Sequence, residues 1–224
     1  GSFLNLPINY SVITNVDQEH LDFYKNFKNL KKAFGRFIKK TPYLGKAFIC
    51  IDSKYLKNII SNIKNRNFFT YGFDKKSNYQ VFNTIYKKEY SKFDLKISLP
   101  SYKPKFIRNI KLNLIGSHNI LNSVAAIALS LYIGVDLKII RKSLNEFAGI
   151  QRRLTKVHQI NKNDFFDDYA HHPTEIKSVL DGLKKTNPNR KIISIFQPHR
   201  YSRLKLLKKD FSYSFKFSDK LILC

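Results

Sequence analysis

The sequence predicts an α/β protein built from two units, residues 1–115 and 116–224. Three observations predict it. Short β-branched apolar runs alternate with amphipathic stretches, the βαβ pattern of a parallel sheet. Between Tyr79 and Leu114 the pattern shifts to strand-like alternation rich in lysine and tyrosine, an antiparallel addition to that sheet. Beyond Gly116 apolar helices and strand patterns resume, so a second α/β unit begins there.

Each element has a local reason. "YSVITNV" (residues 10–16) is β-branched and ends in a polar turn, as a buried parallel strand does at its carboxyl end. "NFKNLKKAFGRFIKK" sets Phe27, Leu30, Phe34, Phe37 and Ile38 at helical spacing among lysines, which makes one helix face apolar. "KAFICID", "SKYLKNIISNI" and "NFFTYGF" then read as strand, helix and strand. "ILNSVAAIALSLYIG" is almost wholly apolar and predicts a helix buried on most sides. Asp136 is placed to cap the helix after it. "NDFFDDYAHHPTEIKSVLDGLKK" reads strand, loop, helix, with Pro173 near the helix start and Ile176, Val179, Leu180 and Leu183 on one face. "KIISIF" reads as a buried strand, "SRLKLLKKDF" as one helix and "DKLILC" as a strand.

The net charge of +25 points toward nucleic acid, but lysine outnumbers arginine 32 to 9 and is spread along the whole chain. Phosphate and base recognition favours clustered arginine forks, so the charge reads as compositional bias and no nucleic-acid partner is expected. A signal peptide and a run of 18 apolar residues are both missing, so no membrane partner is expected either. Cys50 and Cys224 have no ligand or redox spacing, which fits a reducing, cytoplasmic setting. The chain holds no methionine and starts at Gly1, so a piece of a longer protein is expected. The oligomeric state has no signature.

Functional residues of open α/β sheets gather beyond the carboxyl ends of strands, and three polar clusters sit there. In "TNVDQEHLDFY", Asp17, Glu19 and Asp22 around His20 make a hard-cation environment, although magnesium prefers oxygen ligands. In "DDYAHHPTE", the neighbours His171 and His172 point in different directions and ligate one metal poorly. A nucleotide loop fits better: Asp168 accepts from ribose hydroxyls, Tyr169 stacks on a base, and the helix N-terminus that follows favours a phosphate or carboxylate. In "QPHRYSR", Arg200 and Arg203 are spaced to face one anion. "QRRL" adds Arg152 and Arg153 as a phosphate clamp. "SHNILN" adds His118, Asn119 and Asn122, whose amides offer donor and acceptor to an adenine edge. A two-metal hydrolase is the competing reading of "DDYAHH", but the further Asp/His clusters it needs are missing.

Taken in order, "TNVDQEHLDFY", "GSHNILNSVAA", "AGIQRRL", "DDYAHHPTE" and "FQPHRYSR" resemble the motifs of the Mur ligase family. The resemblance spans nearly the whole chain. It implies part of a central ATPase domain, a mostly parallel sheet with an antiparallel addition, followed by part of a Rossmann-like C-terminal domain. The family's phosphate loop is absent, since "LGKAF" lacks both the glycine spacing and the hydroxyl. The implied reaction is ATP- and Mg2+-dependent amide formation between UDP-N-acetylmuramate and L-alanine through an acyl phosphate, in peptidoglycan precursor synthesis. The piece alone is expected to be inactive.

Residue by residue, the resemblance implies a metal ligand in His20 and adenine recognition by Asn119 and Asn122 with His118 beside them. It implies contact with the ATP phosphates for Arg153, and with less support Arg152. Asp168 becomes the ribose ligand and Tyr169 the ring against adenine. His171 and His172 line the region between nucleotide and sugar, with Arg153 and His172 as catalytic residues, and His199, Arg200 and Arg203 grip the L-alanine carboxylate. Glu19 replaces a usual aspartate, and Leu154-Thr155 a common Phe-Glu pair. A related ligase that adds a whole tripeptide shares the histidine loop but lacks "QPHR", so that segment favours free L-alanine.

Overall fold

The computed structural model describes residues 1–64 and 67–224. They form two compact units. The first holds residues 1–84, 92–111 and 120–143; the second holds 85–91, 112–119 and 144–224. The division is therefore not one cut near Gly116, because the segment 120–143, expected in the second unit, clusters with the first.

In the first unit β1 (Tyr10–Ile13), β2 (Lys46–Cys50) and β3 (Phe68–Gly72) are neighbouring parallel strands. Between β1 and β2 run the single turn α1 (Leu21–Tyr24) and α2 (Phe27–Lys39), and between β2 and β3 runs α3 (Lys54–Ser61). The expected βαβ order is present. The central strand is covered on both faces, with Ala47, Phe48 and Ile49 fully buried. Helix α2 starts because the Asn26 side chain accepts the Asn29 N–H at 2.9 Å. It buries Leu30, Ala33 and Ile38. Phe34 and Phe37, predicted on the same apolar face, lie at its margin and meet the Phe3 ring at 5.3 and 5.1 Å.

Three more strands extend the sheet, β4 (Tyr79–Tyr86), β5 (Ser91–Ile97) and β6 (Lys105–Leu112), giving the order β1-β2-β3-β4-β5-β6. Strand β4 runs parallel to β3 but overlaps it only at Tyr71↔Tyr79 and Gly72↔Gln80, so a short loop suffices to join them. Residues 87–90 and 98–104 are too short for a parallel crossover, so β5 and β6 are the expected antiparallel addition. Asp94 on β5 ties this edge together. It accepts from Asn83 Nδ2 at 3.0 Å, Arg108 Nη1 at 2.9 Å and the Asn109 N–H at 2.8 Å.

Helix α4 (Ser117–Tyr132) explains where the 120–143 segment goes. Ile120, Val124, Ile127 and Ala128 are buried along it, and its last ring, Tyr132, meets Phe48 and Phe69 of the sheet at 5.8 and 6.0 Å. Its cover is less complete than predicted, since Asn122 and Ala126 are exposed. Gly134 (φ +86) ends the turn, and Asp136 Oδ1 accepts the Lys138 N–H at 2.7 Å to start α5 (Leu137–Glu146), as expected.

The second unit opens with an antiparallel hairpin, β7 (Thr155–Ile160) and β8 (Asn163–Asp167). Helix α6 (Pro173–Thr186) follows, then β9 (Ile193–Phe196), α7 (Tyr201–Leu206), α8 (Lys208–Ser214) and β10 (Lys220–Leu223), which pairs in parallel with β9. The core is Ile176, Leu180, Leu207 and Phe211, with Phe196 and Phe215 against it. Two expectations change here. The stretch read as one helix breaks at Leu207, whose buried side chain joins that core while its backbone leaves helical geometry at φ −110 and ψ 23. Strand β9 is covered on one face only, because Ile193 and Ile195 are 62% and 73% exposed. Among the described residues no helix is long and apolar enough to cross a membrane.

Candidate functional site

The second unit gathers most of the polar residues singled out in the sequence, around the loop that leaves β8. The turn before β7 is left-handed at Arg152 (φ 59) and Leu154 (φ 50). That turn presses the 152–154 segment against residues 168–170. The Tyr169 N–H donates to the Arg152 carbonyl at 2.8 Å. Asp168 accepts the Leu154 N–H through Oδ2 and the Ala170 N–H through Oδ1, both at 2.7 Å. Asp168 therefore already holds two backbone donors, and each carboxylate oxygen keeps a second acceptor position for a hydroxyl.

Both arginines of the turn lie near the Tyr169 ring, Arg153 the farther at 6.0 Å from its centre, and each has its own acidic partner. The Arg152 guanidinium lies 4.8 Å from the Tyr169 ring centre, with its Nε 3.6 Å from Asp167. Arg153 reaches Glu175 at 3.5 Å. Tyr169 is half exposed, and the His171 ring meets it edge-on at 5.1 Å. His171 Nδ1 lies 2.9 Å from the Tyr169 carbonyl.

The start of α6 is closed from within. Glu175 Oε2 accepts the N–H groups of His171 at 3.1 Å and His172 at 3.3 Å, and His172 Nδ1 accepts the Thr174 N–H at 3.3 Å. These are the donors expected to favour a phosphate or carboxylate ligand, and the protein's own Glu175 holds two of them. Burial works against ionisation of Glu175. The His171 N–H and ring, the His172 N–H and Arg153 outweigh it and hold the carboxyl below the usual range. His172 is buried, and with Nδ1 accepting, its neutral ring carries the proton on Nε2, which has no hydrogen-bond partner among the described residues. In that form it is a cap and a donor, and offers no lone pair as a base.

His118 and Asn119, at the beginning of α4, belong to the same unit. Burial lowers the His118 pKa; Asp168 and Asp181 act the other way, and Arg153 adds to the lowering. Its ring sits on Gly116, where a Cβ would lie 2.8 and 2.9 Å from the ring's Cε1 and Nδ1. Gly116 takes φ +95, which with the His118 contact excludes a side chain, and a Cβ at Gly182 of α6 would lie a tight 3.1 Å from the Gly116 Cα. Asn119 Nδ2 donates to the Ile115 carbonyl at 2.8 Å, leaving its Oδ1 as the available end. Asn122 is exposed on the same helix and falls in the first unit.

The "QPHRYSR" pair separates by depth. His199 and Arg200 are exposed, whereas Arg203 is 8% exposed. Arg200 sits at φ 65 and caps α7, and its carbonyl accepts the Arg203 N–H at 3.1 Å. Spacing of three residues is thus not enough to give both guanidinium groups the same access.

His20 belongs to the first unit, exposed in left-handed conformation (φ 56) at the start of α1. Asp17, one of the expected acidic partners, accepts from Asn15 Nδ2 at 2.9 Å. Among the described residues no three His, Cys, Asp or Glu side chains come together to hold a metal ion. The residues present do not by themselves fit a magnesium centre, and His20 offers one ligand at most.

Glu175 is the residue that sequence reasoning missed. The signal was there, since His172-Pro-Thr-Glu175 has the spacing of a capping box, with histidine in place of serine or threonine.

Comparison with known proteins matches both units. The family described as Mur ligase middle domain matches residues 2–130, and that described as Mur ligase, glutamate ligase domain, matches residues 152–224. The chain is 53% identical to the UDP-N-acetylmuramate–L-alanine ligase of Pelagibacter ubique, over 100% of this chain and 48% of that protein. The crystal structure of UDP-N-acetylmuramate–alanine ligase MurC from Thermotoga maritima superposes with a TM-score of 0.74 at 26% identity, covering 98% of this chain and 46% of that one. The MurF ligase of Thermotoga maritima in complex with ADP has a TM-score of 0.69 and covers 97% of this chain and 52% of that one; at 15% identity it shows the fold alone. The chain spans about half the length of the curated relatives it matches.

Proposed function

The chain belongs to the Mur ligase family, and from that we propose that it is the nucleotide- and amino-acid-handling part of a ligase joining L-alanine to UDP-N-acetylmuramate in peptidoglycan precursor synthesis. The observation that carries this reading is 53% identity along the whole chain to an enzyme of that name.

A carboxylate is a poor acyl donor. ATP removes that obstacle by passing its γ-phosphoryl group to the sugar's lactyl carboxylate and leaving as ADP. The L-alanine amine then attacks the acyl carbon, the amide bond forms, and phosphate leaves as the nitrogen loses a proton. Such chemistry rests on alignment and charge neutralisation. In this chain Tyr169 offers its ring to the adenine, Asn119 Oδ1 an edge contact, and Asp168 the remaining acceptor positions to the ribose. Arg153 offsets phosphate charge. His171 and His172 line the path to the sugar, where the buried Nε2–H of His172 donates to developing negative charge. His199, Arg200 and Arg203 take the L-alanine carboxylate, with Arg200 as the exposed member. His20 would supply one ligand to a magnesium ion completed by residues outside this chain. The need for ATP and a nucleotide-linked sugar places the reaction in the cytoplasm.

The test is phosphate release from ATP by the full-length protein with UDP-N-acetylmuramate and either L-alanine, a stem tripeptide or no amine. Release that requires both the sugar and L-alanine supports the reading. Release only with tripeptide moves it to the peptide-adding relative, and none with either overturns it.

A further inference from the structure

We propose that Arg152 is a positioning residue for the base-stacking ring of Tyr169 and that Arg153 alone of the pair meets the phosphates; this rests on the nucleotide reading of the site given above. Adjacent arginines after a glutamine invite a joint role as a clamp. Their distances to the Tyr169 ring and their acidic partners distinguish them.

Arg152 is held in left-handed conformation (φ 59), and its own carbonyl accepts the Tyr169 N–H at 2.8 Å. That backbone bond, with the Leu154 N–H on the Asp168 carboxylate at 2.7 Å, holds the two segments together beyond the last β7–β8 pair, Thr155↔Asp167. The Arg152 side chain thus starts beside Tyr169 and crosses its ring, with the guanidinium carbon 4.8 Å from the ring centre. Asp167, the last paired residue of β8, anchors it from the other end at 3.6 Å. The ring is consequently fixed between a cation on one face and the His171 edge at 5.1 Å, while half its surface stays open. Arg153 lies farther from the ring, at 6.0 Å, reaches Glu175 at 3.5 Å and is also the one that acts on His118 electrostatically.

A half-exposed tyrosine on a loop otherwise samples several orientations, and stacking a base on it costs the entropy of choosing one. The guanidinium removes that freedom before the nucleotide arrives. The Arg152 side chain is 63% exposed and leaves no cavity when truncated, so its removal should act on the ring and not on the fold.

The experiment is calorimetric titration of the full-length enzyme and its Arg152→Ala, Arg152→Lys, Tyr169→Ala and double Arg152→Ala/Tyr169→Ala variants with two probes, ADP and inorganic tripolyphosphate. Arg152→Ala is expected to weaken ADP by about threefold to fivefold, the size of one exposed cation–π contact, and to leave tripolyphosphate unchanged. Arg152→Lys should restore most of the ADP affinity, and Arg152→Ala should cost nothing further once Tyr169 is gone. Equal weakening of both probes makes Arg152 a phosphate ligand and overturns the proposal, as does no change in either. If the unsubstituted enzyme binds no ADP, the nucleotide reading itself fails, an outcome distinct from any pattern among the variants.

Discussion

Asp168 and Leu154 are joined by a 2.7 Å hydrogen bond from a backbone N–H to a carboxylate oxygen, across fourteen residues of chain. This bond, with the matching one to Ala170, makes the proposed ribose ligand a structural joint as well. Asp168→Asn replaces one acceptor oxygen by a donor that faces an N–H. The second unit is expected to lose about 1.5–3 kcal/mol, the range for a hydrogen bond to a charged group, read from the urea midpoint. An unchanged midpoint would mean that both loops hold their positions without Asp168.

His118 carries a pH signature. Its pKa lies below the ordinary 6.5 because burial disfavours the charged ring. The unfolded chain therefore takes up the proton first as pH falls, and stability is lost from about 6.5 down to the lowered folded value. Stability of the wild type against denaturation should fall from pH 7.5 to 5.5, and His118→Gln should flatten that slope. A His118 ring titrating at or above 6.5 by NMR would rule the account out.

Gly116 and Gly182 pack without side chains between α6 and the entry to α4. Gly116→Ala places a methyl group 2.8 Å from His118 at φ +95, and about 2 kcal/mol of destabilisation is expected from strain and overpacking together. Thermal unfolding measures it, and a stabilised variant would contradict the packing.

Glu175→Gln weakens the internal cap of α6, leaving the His171 and His172 N–H groups a neutral partner. A loss of about 1 kcal/mol is expected at pH 7. Because the Glu175 carboxyl titrates below its usual range, its contribution is present above the unfolded glutamate pKa and is lost as pH falls through the folded one. The difference between variant and wild type should shrink in acid, and a constant difference from pH 7 to 3 would show that charge is not involved.

Arg200 and Arg203 separate access from support. Arg200→Ala in the full-length enzyme should raise KM for L-alanine roughly tenfold or more, the loss of one charged hydrogen bond, with KM for ATP and the unfolding midpoint nearly unchanged. Arg203→Ala, at a buried position, should raise the same KM and lower the unfolding midpoint as well. Equal effects on both KM values would remove the carboxylate role from this segment.

Much of this molecule is legible in local sequence, for a physical reason. The faces of α2 and α6, the caps at Asn26 and Asp136, and the β1-α-β2-α-β3 order depend on side-chain period and on hydrogen bonds between residues two to four apart. The motif residues were equally visible as types in a row. Their partners were not. That Arg152 lies over Tyr169 at 4.8 Å, Arg153 farther off at 6.0 Å with Glu175 in reach, depends on two left-handed residues and on a hairpin whose first strand, Thr155–Ile160, has no strong strand signal of its own. That Arg203 is buried while Arg200 is exposed, and that Leu207 breaks the helix and joins Phe211 and Leu180, are likewise features of packing and not of spacing. The sequence alone determined which groups are available and on which elements they ride. Only tertiary packing decided which of them meet, because contacts across fourteen or more residues are set by loop backbone and burial, and neither is encoded by spacing.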